Sequence, residues 1–323
     1  MTRSTSPPYI SCVTTLYKSA AFIEEFVRRA DRVLSEITDH YEIILVNDGS
    51  PGDDQQVATG LLPDYPRVRL LELSRNFGHH AAILAGLEQA RGDLVFFVDS
   101  DMEEAPELVK DFLKALQSSD ADVVYGIHER REEPLIPRLA GGLFWRLLGW
   151  LTDQSIPRNI ANVRLMRRHY VRALLDMPDR NIFLGGMFSW PGFRQKAIRI
   201  VRTPRKGPPS YSFAKRMRLA ARAMLAFSDK PLFLMFITGL TVSGFSFLFG
   251  LFWLVKKLLH PELVLSGFTS LMVSIWFLGG IIIGALGLLG LYIAQIYNQT
   301  RARPRYIIRS ENNQIRDIER PDT

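Results

Sequence analysis

Two aspartates separated by one residue, Asp99 and Asp101, are the side chains of this sequence best placed to do chemistry. They follow an apolar run beginning at Leu94, which predicts a strand buried on both faces, and Pro106 suits the first turn of a following helix. Open α/β sheets bind ligands at the carboxyl ends of their strands. Carboxylates there could hold a hard divalent cation, which could bind a diphosphate. An acidic loop with N-capping carboxylates is the alternative.

Predicted strands and helices alternate around this pair. The predicted strands are residues 9–16, 41–46, 68–73, a run from 94, and 122–125, and the predicted helices are residues 19–37, 79–90 and 107–117. The alternation predicts an α/β domain with a mainly parallel sheet and helices on both faces. Polar residues gather where the strands end, at Tyr17, Asp48, Arg75 and Asp99. This clustering favours one shared crevice of nucleotide size.

The composition limits the partners of the protein. Lys and Arg number 40, and Asp and Glu 33, among 323 residues, a net charge of +7. A basic balance suggests nucleic acid, phosphorylated ligands or an anionic membrane surface. The single cysteine, Cys12, allows no internal disulfide and is typical of a reducing compartment. The first residues lack an apolar core, so no cleavable signal peptide is evident.

Two long uncharged stretches, at about residues 231–255 and 266–296, predict membrane-spanning helices. Buried helices of a soluble protein are the alternative. Basic residues flank the pair on both outer sides, so the positive-inside rule places both termini in the cytoplasm. Their position beside the spans favours lipid over nucleic acid. The predicted domains are a cytoplasmic α/β domain (1–228) with amphipathic segments at about 138–151 and 211–228, two transmembrane helices within 229–297, and a basic cytoplasmic tail (298–323).

Further motifs extend along most of the chain. They include Glu42-Ile-Ile-Leu-Val-Asn-Asp-Gly-Ser50, Leu73-Ser-Arg-Asn-Phe-Gly78, Ala85-Gly-Leu87, Asp99-Ser-Asp101, Phe183-Leu-Gly185 and Trp190-Pro-Gly-Phe193. In this order they resemble inverting family-2 glycosyltransferases of GT-A (Rossmann-like) fold. More narrowly, they resemble polyprenyl-phosphate glycosyltransferases, namely dolichol-phosphate mannose synthases and bacterial undecaprenyl-phosphate glucosyltransferases. The two C-terminal spans fit the bacterial branch.

The resemblance implies transfer of a sugar from a nucleoside diphosphate to undecaprenyl phosphate on the inner membrane, by a homo-oligomer that uses Mg²⁺ or Mn²⁺. Asp48 would accept a hydrogen bond from the nucleotide base, and Arg75 would reach a phosphate or pair with a nearby acid. The implied nucleotide-sugar residues are Thr15, Tyr17, Asp48, Arg75 and Asp99. The implied metal ligands are Asp101, Asp99 and Glu103. The candidates for the acceptor phosphate are His128, Arg130, Arg131, Arg138, Arg205, Lys206 and Ser210, several of which could instead contact solvent or lipid headgroups.

Two departures from the family pattern bear on catalysis. Ser19 stands where a carboxylate is expected in the first loop, and Asn162 stands where an aspartate is sometimes proposed as the base. The catalytic candidates are Asp99, Asp101, Asn162 and Arg164. Activity without a base is still expected, because a lipid phosphate is already anionic and the site must mainly position it and stabilise the leaving diphosphate.

Two other functions are weighed against sugar transfer to a lipid phosphate. A processive polysaccharide synthase is the first, but its Gln-x-x-Arg-Trp motif and additional spans are not found in the sequence. A catalytically inactive membrane scaffold of the same fold is the second, because of the departures at Ser19 and Asn162. The sequence does not name the sugar.

Overall fold

The protein is described by a computed structural model over residues 8–128, 160–179, 184–201, 230–259 and 267–313. The strands are β1 (Ile10–Leu16), β2 (Tyr41–Asn47), β3 (Val68–Leu73), β4 (Leu94–Phe97), β5 (Val123–His128), β6 (Ile160–Arg167), β7 (Gln195–Ile200) and β8 (Ile308–Asn313). The helices are α1 (Ala20–Ser35), α2 (Asp54–Leu61), α3 (His79–Gln89), α4 (Leu108–Gln117), α5 (Arg168–Leu175), α6 (Leu184–Met187), α7 (Lys230–Leu259) and α8 (Phe268–Thr300). The predicted strands and helices up to β5 are present close to their expected bounds.

The eight strands of the described chain form one sheet in the order β7-β5-β6-β4-β1-β2-β3-β8. Its centre, β4-β1-β2-β3, is parallel, and β7 is parallel to β5. Strand β6 runs antiparallel to β4 and β5, and β8 runs antiparallel to β3. The predicted α/β class is therefore confirmed, with a parallel centre in a mixed sheet.

Helices cover both faces of the sheet, as the continuous apolar strands require. Helices α1, α2 and α4 contribute to the core on one face, and α3, α5 and α6 contribute to the core on the other. Gly86 allows α3 to pack closely, because a Cβ there would lie 2.3 Å from Val13 Cγ1. This packing places the first residue of α3, His79, near the carboxyl ends of the central strands.

The residues after α8 belong to the α/β domain. Strand β8 pairs with β3, and the backbone N–H of Ser74 donates to the carbonyl of Ile307 over 2.9 Å. The Arg305 guanidinium donates to the carbonyls of Leu175 and Asp179, each over 3.1 Å. The sequence predicts a basic tail here, without a strand. A short edge strand of mostly polar residues lacks the apolar run by which strands are recognised.

Helices α7 and α8 occupy the two uncharged stretches and form a separate compact unit. Residues 277–300 of α8 are long and apolar enough to cross a membrane. The corresponding apolar segment of α7, Leu232–Val242, is shorter. Large apolar side chains of both helices are exposed, among them Phe236 at 64% and Ile283 at 73%. Apolar surface of this extent is typical of a membrane or protein contact. The predicted amphipathic segments at 138–151 and 211–228 lie outside the described residues.

Candidate active site

Asp99 follows β4 at the carboxyl edge of the sheet. Its Oδ2 accepts a hydrogen bond from Asn162 Nδ2 over 2.9 Å, whereas its Oδ1 is buried without a hydrogen-bond partner in the described chain. The His79 ring lies beside it, with Nε2 3.4 Å from Oδ1. Burial raises the pKa of Asp99, while His79 and the Asn162 hydrogen bond act in the opposite direction. One carboxylate oxygen of Asp99 is thus unsatisfied among the described residues.

The structure explains why an amide suits position 162. Asn162 donates to Asp99, which a carboxylate could do only if it were protonated. Two carboxylates at 2.9 Å would repel each other and raise the pKa of one of them. Asn162 therefore serves Asp99 as a hydrogen-bond donor, and its neutral carboxamide cannot act as the general base.

His79, which the sequence pattern does not indicate as a site residue, lies among three predicted site residues. Its Nδ1 is 3.1 Å from Thr15 Oγ1, and its Nε2 is 3.5 Å from Asn162 Nδ2 and 3.4 Å from Asp99 Oδ1. Thr15 lies near the end of β1, Asp99 follows β4, and Asn162 lies near the start of the antiparallel strand β6. A signal was available, since His79 comes directly after the Leu73–Gly78 motif and begins α3 at the same edge.

The loop after β4 is held against β1 and contains backbone strain. Ser100 Oγ donates to the Thr15 carbonyl over 2.9 Å, and Asp101 Oδ1 accepts from the Glu103 N–H over 3.2 Å. Met102, between them, has a left-handed φ of 61°. A non-glycine residue in this region costs about 1–3 kcal/mol, and such strain is concentrated at functional sites. Glu103 is buried with a relative exposure of 7%.

Asp48 is buried beneath the loop that leads into α3. Its Oδ1 accepts from the Phe77 N–H over 2.7 Å and its Oδ2 from the Gly78 N–H over 3.0 Å. Burial raises the pKa of Asp48, and these two N–H groups oppose the rise. A Cβ on Gly49 would lie 2.5 Å from the carbonyl carbon of Arg75, so only glycine fits there. Asp48 therefore fixes this loop, and its contact with a nucleotide base stays a prediction.

The side chains of Tyr17 and Arg75 face solvent in the loops after β1 and β3. Tyr17 is 48% exposed. Arg75 stacks on Phe77, with its guanidinium carbon 4.0 Å from the ring centroid, and no carboxylate of the described chain forms an ion pair with it. Of the two alternatives for Arg75, pairing with a nearby acid is therefore not observed within these residues.

Asp54, at the start of α2, supplies a carboxylate to the first loop. Its Oδ1 accepts from the backbone N–H of Ser19 over 2.7 Å and from Ser19 Oγ over 2.9 Å. Its Oδ2 accepts from Ser50 Oγ over 2.8 Å. The carboxylate expected at position 19 is thus replaced by one from another element. Because the two serines follow β1 and β2, Asp54 ties together the loops that contain Tyr17 and Asp48.

Arg164 is buried in β6 behind the Asp99–Asn162 pair. Its Nε donates to the Asn162 carbonyl over 3.0 Å, and its guanidinium carbon lies 3.3 Å from the Phe188 ring centroid. Burial lowers its pKa to about 10, which still leaves it a cation at neutral pH. Arg164 therefore supports the backbone of Asn162 and places positive charge near Asp99.

The predicted acceptor residues are only partly described. His128 Nε2 lies 3.2 Å from Glu104 Oε1, so His128 is already paired with an acid. The remaining candidates lie outside the described residues, namely Arg130, Arg131, Arg138, Arg205, Lys206 and Ser210. In the part of the chain that is described, no group of three or more His, Cys, Asp or Glu side chains is arranged to hold a metal ion. The described residues therefore do not supply a complete set of protein ligands for a metal.

Known proteins resemble this chain over most of its length. It is 38% identical over 300 residues to a Mycobacterium tuberculosis protein described as "Putative glycosyltransferases", covering 93% of this chain and 87% of the relative. It is 32% identical over 304 residues to a bactoprenol glucosyl transferase of Shigella phage SfV, covering 94% and 98%. Glucosyl-3-phosphoglycerate synthase from Mycobacterium tuberculosis, solved with Mn²⁺, UDP-glucose and phosphoglyceric acid, aligns with a TM-score of 0.47 and 17% identity over 68% of this chain and 79% of that one.

A family model gives the assignment. The model described as Glycosyl transferase family 2 matches residues 11–175, which are 165 of the 323 residues and include β1 to β6 with Asp99, Asp101 and Asn162. The predicted enzyme class, a glycosyltransferase, and the predicted GT-A type of α/β fold are thereby confirmed. The chain belongs to glycosyl transferase family 2.

Proposed function

We propose that the protein transfers a sugar, with inversion, from a nucleoside diphosphate sugar to a polyprenyl phosphate such as undecaprenyl phosphate. The observation that carries the proposal is the Asp99–Asn162 pair. Among the described residues, one carboxylate oxygen of Asp99 has no hydrogen-bond partner, and it could face the metal-bound sugar nucleotide. The Asn162 carboxamide stands where a hydroxyl acceptor would need a general base. A phosphate acceptor needs no base. The likeness to bactoprenol glucosyl transferases over 94% of the chain supports this acceptor.

In the proposed reaction, an oxygen of the lipid phosphate attacks the anomeric carbon from the side opposite the diphosphate. The new carbon–oxygen bond forms as the bond to the diphosphate breaks, and the diphosphate leaves with the electron pair. No proton has to be removed from the acceptor. The protein contributes by positioning the two substrates and by stabilising the charge on the leaving group.

A divalent cation, Mg²⁺ or Mn²⁺, fits the residues present. Such ions are commonly held by one or two carboxylates together with substrate phosphates, without a complete set of protein ligands. Asp99 Oδ1 is a buried acceptor without a partner, and Asp101 follows two residues later. We propose these two as ligands, with Glu103 as a third candidate. When bound, the ion supplies electrostatic stabilisation of the departing diphosphate.

Strand β8 supports a membrane topology with two spans. Because β8 pairs with β3, residues 308–313 lie on the same side of any membrane as residues 68–73. The intervening chain would therefore cross an even number of times. If α8 spans the bilayer, a second crossing is required, and α7 with 30 residues is long enough to supply it. The positive-inside rule then favours a cytoplasmic α/β domain.

The direct test uses the full chain in nanodiscs with undecaprenyl phosphate, Mg²⁺ or Mn²⁺, and a panel of labelled sugar nucleotides. We expect label in the lipid with one donor, as a single sugar per lipid, and loss of transfer with a chelator. Polymeric product would favour a processive synthase. Failure to transfer any sugar, together with no protection against thermal unfolding by metal and nucleotide, would favour an inactive scaffold. Full activity in chelator would remove the metal from the mechanism.

A further inference from the structure

We propose that His79 is a positioning residue of this transfer. It holds the Asp99–Asn162 pair so that the free Oδ1 of Asp99 faces the cation of a metal-bound nucleotide sugar. This inference rests on the proposed function for its substrate. Its geometric basis is independent of the sugar and of the lipid acceptor.

The imidazole connects the end of β1 with the pair formed between β4 and β6. On one side, Nδ1 lies 3.1 Å from Thr15 Oγ1. On the other side, Nε2 lies 3.5 Å from Asn162 Nδ2 and 3.4 Å from Asp99 Oδ1. Thr15 is itself fixed, because it belongs to a central strand and its carbonyl accepts from Ser100 Oγ over 2.9 Å. A rigid strand end is thus linked through one ring to two side chains that could otherwise rotate.

The hydrogen bonds have one arrangement that uses both amide hydrogens of Asn162. If the His79 proton is on Nδ1, that nitrogen donates to Thr15 Oγ1 and Nε2 is an acceptor. Asn162 then donates one hydrogen to Asp99 Oδ2, at 2.9 Å, and directs the other toward His79 Nε2. In this arrangement no donor is directed at Asp99 Oδ1. That oxygen is left for the cation.

Groups that orient a metal ligand without touching the metal commonly change metal affinity by 10–100-fold when they are removed. His79 has this relation to Asp99. A residue that only begins helix α3 would behave differently, because its loss would lower thermal stability without a selective effect on the metal. Metal affinity therefore separates positioning from a purely structural role.

The test measures Mn²⁺ binding to the full chain in detergent by electron paramagnetic resonance, in the presence of UDP, with GDP run alongside. We expect His79→Ala to raise the Kd for Mn²⁺ by about 10–100-fold. At position 79, the side-chain amide of glutamine reaches the place of His79 Nε2, whereas the amide of the shorter asparagine reaches only the place of Nδ1. His79→Gln should therefore retain most of the affinity, and His79→Asn should resemble His79→Ala.

His40→Ala is the matched control, since His40 is exposed before β2 at the opposite end of the sheet. It should bind Mn²⁺ as the wild type does. Thermal melting of each variant without metal checks that the fold is intact, and His79→Gln remains informative if His79→Ala does not fold.

Several outcomes would overturn the inference. One is a His79→Ala variant that binds Mn²⁺ with wild-type affinity, and another is a His79→Asn variant that keeps the affinity while His79→Gln loses it. A third is a His79→Ala variant that loses nucleotide affinity without metal by the same factor as it loses Mn²⁺ affinity. The last is a wild-type protein that binds no Mn²⁺ with either UDP or GDP. A wild-type protein that binds Mn²⁺ and nucleotide but transfers no sugar to undecaprenyl phosphate would refute only the proposed function. The comparison among the His79 variants would then still decide the role of His79.

Discussion

Two clusters of polar side chains lie at opposite ends of the same parallel strands, and they differ in how completely their hydrogen bonds are satisfied. The amino-end cluster consists of Ser11, Glu42, Arg69 and Glu311. The carboxyl-end cluster consists of Thr15, His79, Asp99 and Asn162. Each contains at least one buried carboxylate oxygen, which is costly unless that oxygen is hydrogen-bonded or paired with a cation.

The amino-end cluster is closed. Glu42 Oε1 accepts from Ser11 Oγ over 2.6 Å and from the Arg91 N–H over 2.7 Å, and Glu42 Oε2 accepts from Arg69 Nη1 over 2.6 Å. Arg69 also donates to Glu311 Oε1 over 2.7 Å and to the Gln89 carbonyl over 2.9 Å. Both carboxylate oxygens of Glu42 are occupied, so the cluster joins β1, β2, β3 and β8 and leaves no group of Glu42 for a ligand.

The carboxyl-end cluster is open, because Asp99 Oδ1 is buried without a hydrogen-bond partner in the described chain. Burial raises the pKa of Asp99, and His79 and the Asn162 hydrogen bond oppose the rise. The same residue types therefore have different roles at the two ends. A closed cluster contributes to the fold, and an open one is suited to a charged ligand that completes it.

The largest expected effect is on activity, from a change in the open cluster. Asp99→Asn removes the charge but keeps the shape, and we expect sugar transfer to fall by about 100-fold or more. Stability should change by less than about 1 kcal/mol, because the asparagine keeps a carbonyl oxygen that can accept the Asn162 hydrogen bond. Transfer of labelled sugar and thermal melting of the full chain measure the two quantities. A variant that transfers normally, or one that fails to fold, would contradict the assignment of Asp99 to the open cluster.

A change in the closed cluster should affect stability instead. Arg69→Met leaves Glu42 buried without its ion-pair partner, and we expect the free energy of unfolding to fall by about 3–5 kcal/mol. The Cys12 thiol can report this loss, since it is 1% exposed and burial raises its pKa to about 12. Its alkylation requires opening of the core and should accelerate by roughly 100- to 4,000-fold.

Asp99→Asn is the control for that measurement and should leave Cys12 alkylation near the wild-type rate. The folded fraction of Arg69→Met should keep the wild-type KM for the sugar nucleotide. A raised KM with unchanged alkylation would show that the closed cluster acts on the site and not on the fold.

A smaller effect is expected from Asp54, whose carboxylate joins the loops after β1 and β2. Asp54→Asn keeps one acceptor oxygen for Ser19 but loses the charge. We expect binding of the sugar nucleotide to weaken by about 1 kcal/mol, which would raise its KM several-fold and leave kcat little changed. The neighbouring Asp53 is exposed, and Asp53→Asn is the matched control. If both variants raised the KM equally, general charge and not the link between the loops would be the cause.

The smallest effect is expected outside both clusters. Glu107 forms a surface ion pair with Arg29, with 2.6 Å between Arg29 Nη2 and Glu107 Oε2. Exposed pairs of this kind contribute about 0–1 kcal/mol. Glu107→Gln should therefore leave sugar transfer and Cys12 alkylation close to wild type. A large change in either would show that an exposed, paired carboxylate matters as much as those of the two clusters.

The elements that could be predicted from the sequence are those with a clear apolar pattern. Continuous apolar runs predicted β1 to β5, and uncharged stretches predicted α7 and α8, because burial on both faces and long apolar helices leave clear signals. Strand β6 was not predicted, although it lies between β4 and β5 in the sheet. Its antiparallel insertion depends on long-range pairing, which local periodicity does not encode.

The predictability of the candidate site followed the same division. Asp99 and Asp101 could be selected because they directly follow a strand in the sequence. The roles of His79 and Asp54 could not, because each depends on contacts between elements that are far apart in the sequence. For Asn162, the sequence showed a departure from the family pattern but not its partner.

The sequence by itself determined the α/β class, the position of the aspartate pair at a strand end, and the two apolar helices, since each depends on the local order of apolar and charged residues. Only the tertiary structure decided which polar groups are satisfied. Glu42 and Asp99 are both acidic residues beside apolar runs, and nothing local distinguishes a carboxylate with both oxygens occupied from one with an oxygen to spare. That difference arises from the partners that strand pairing and helix packing bring to each end of the sheet.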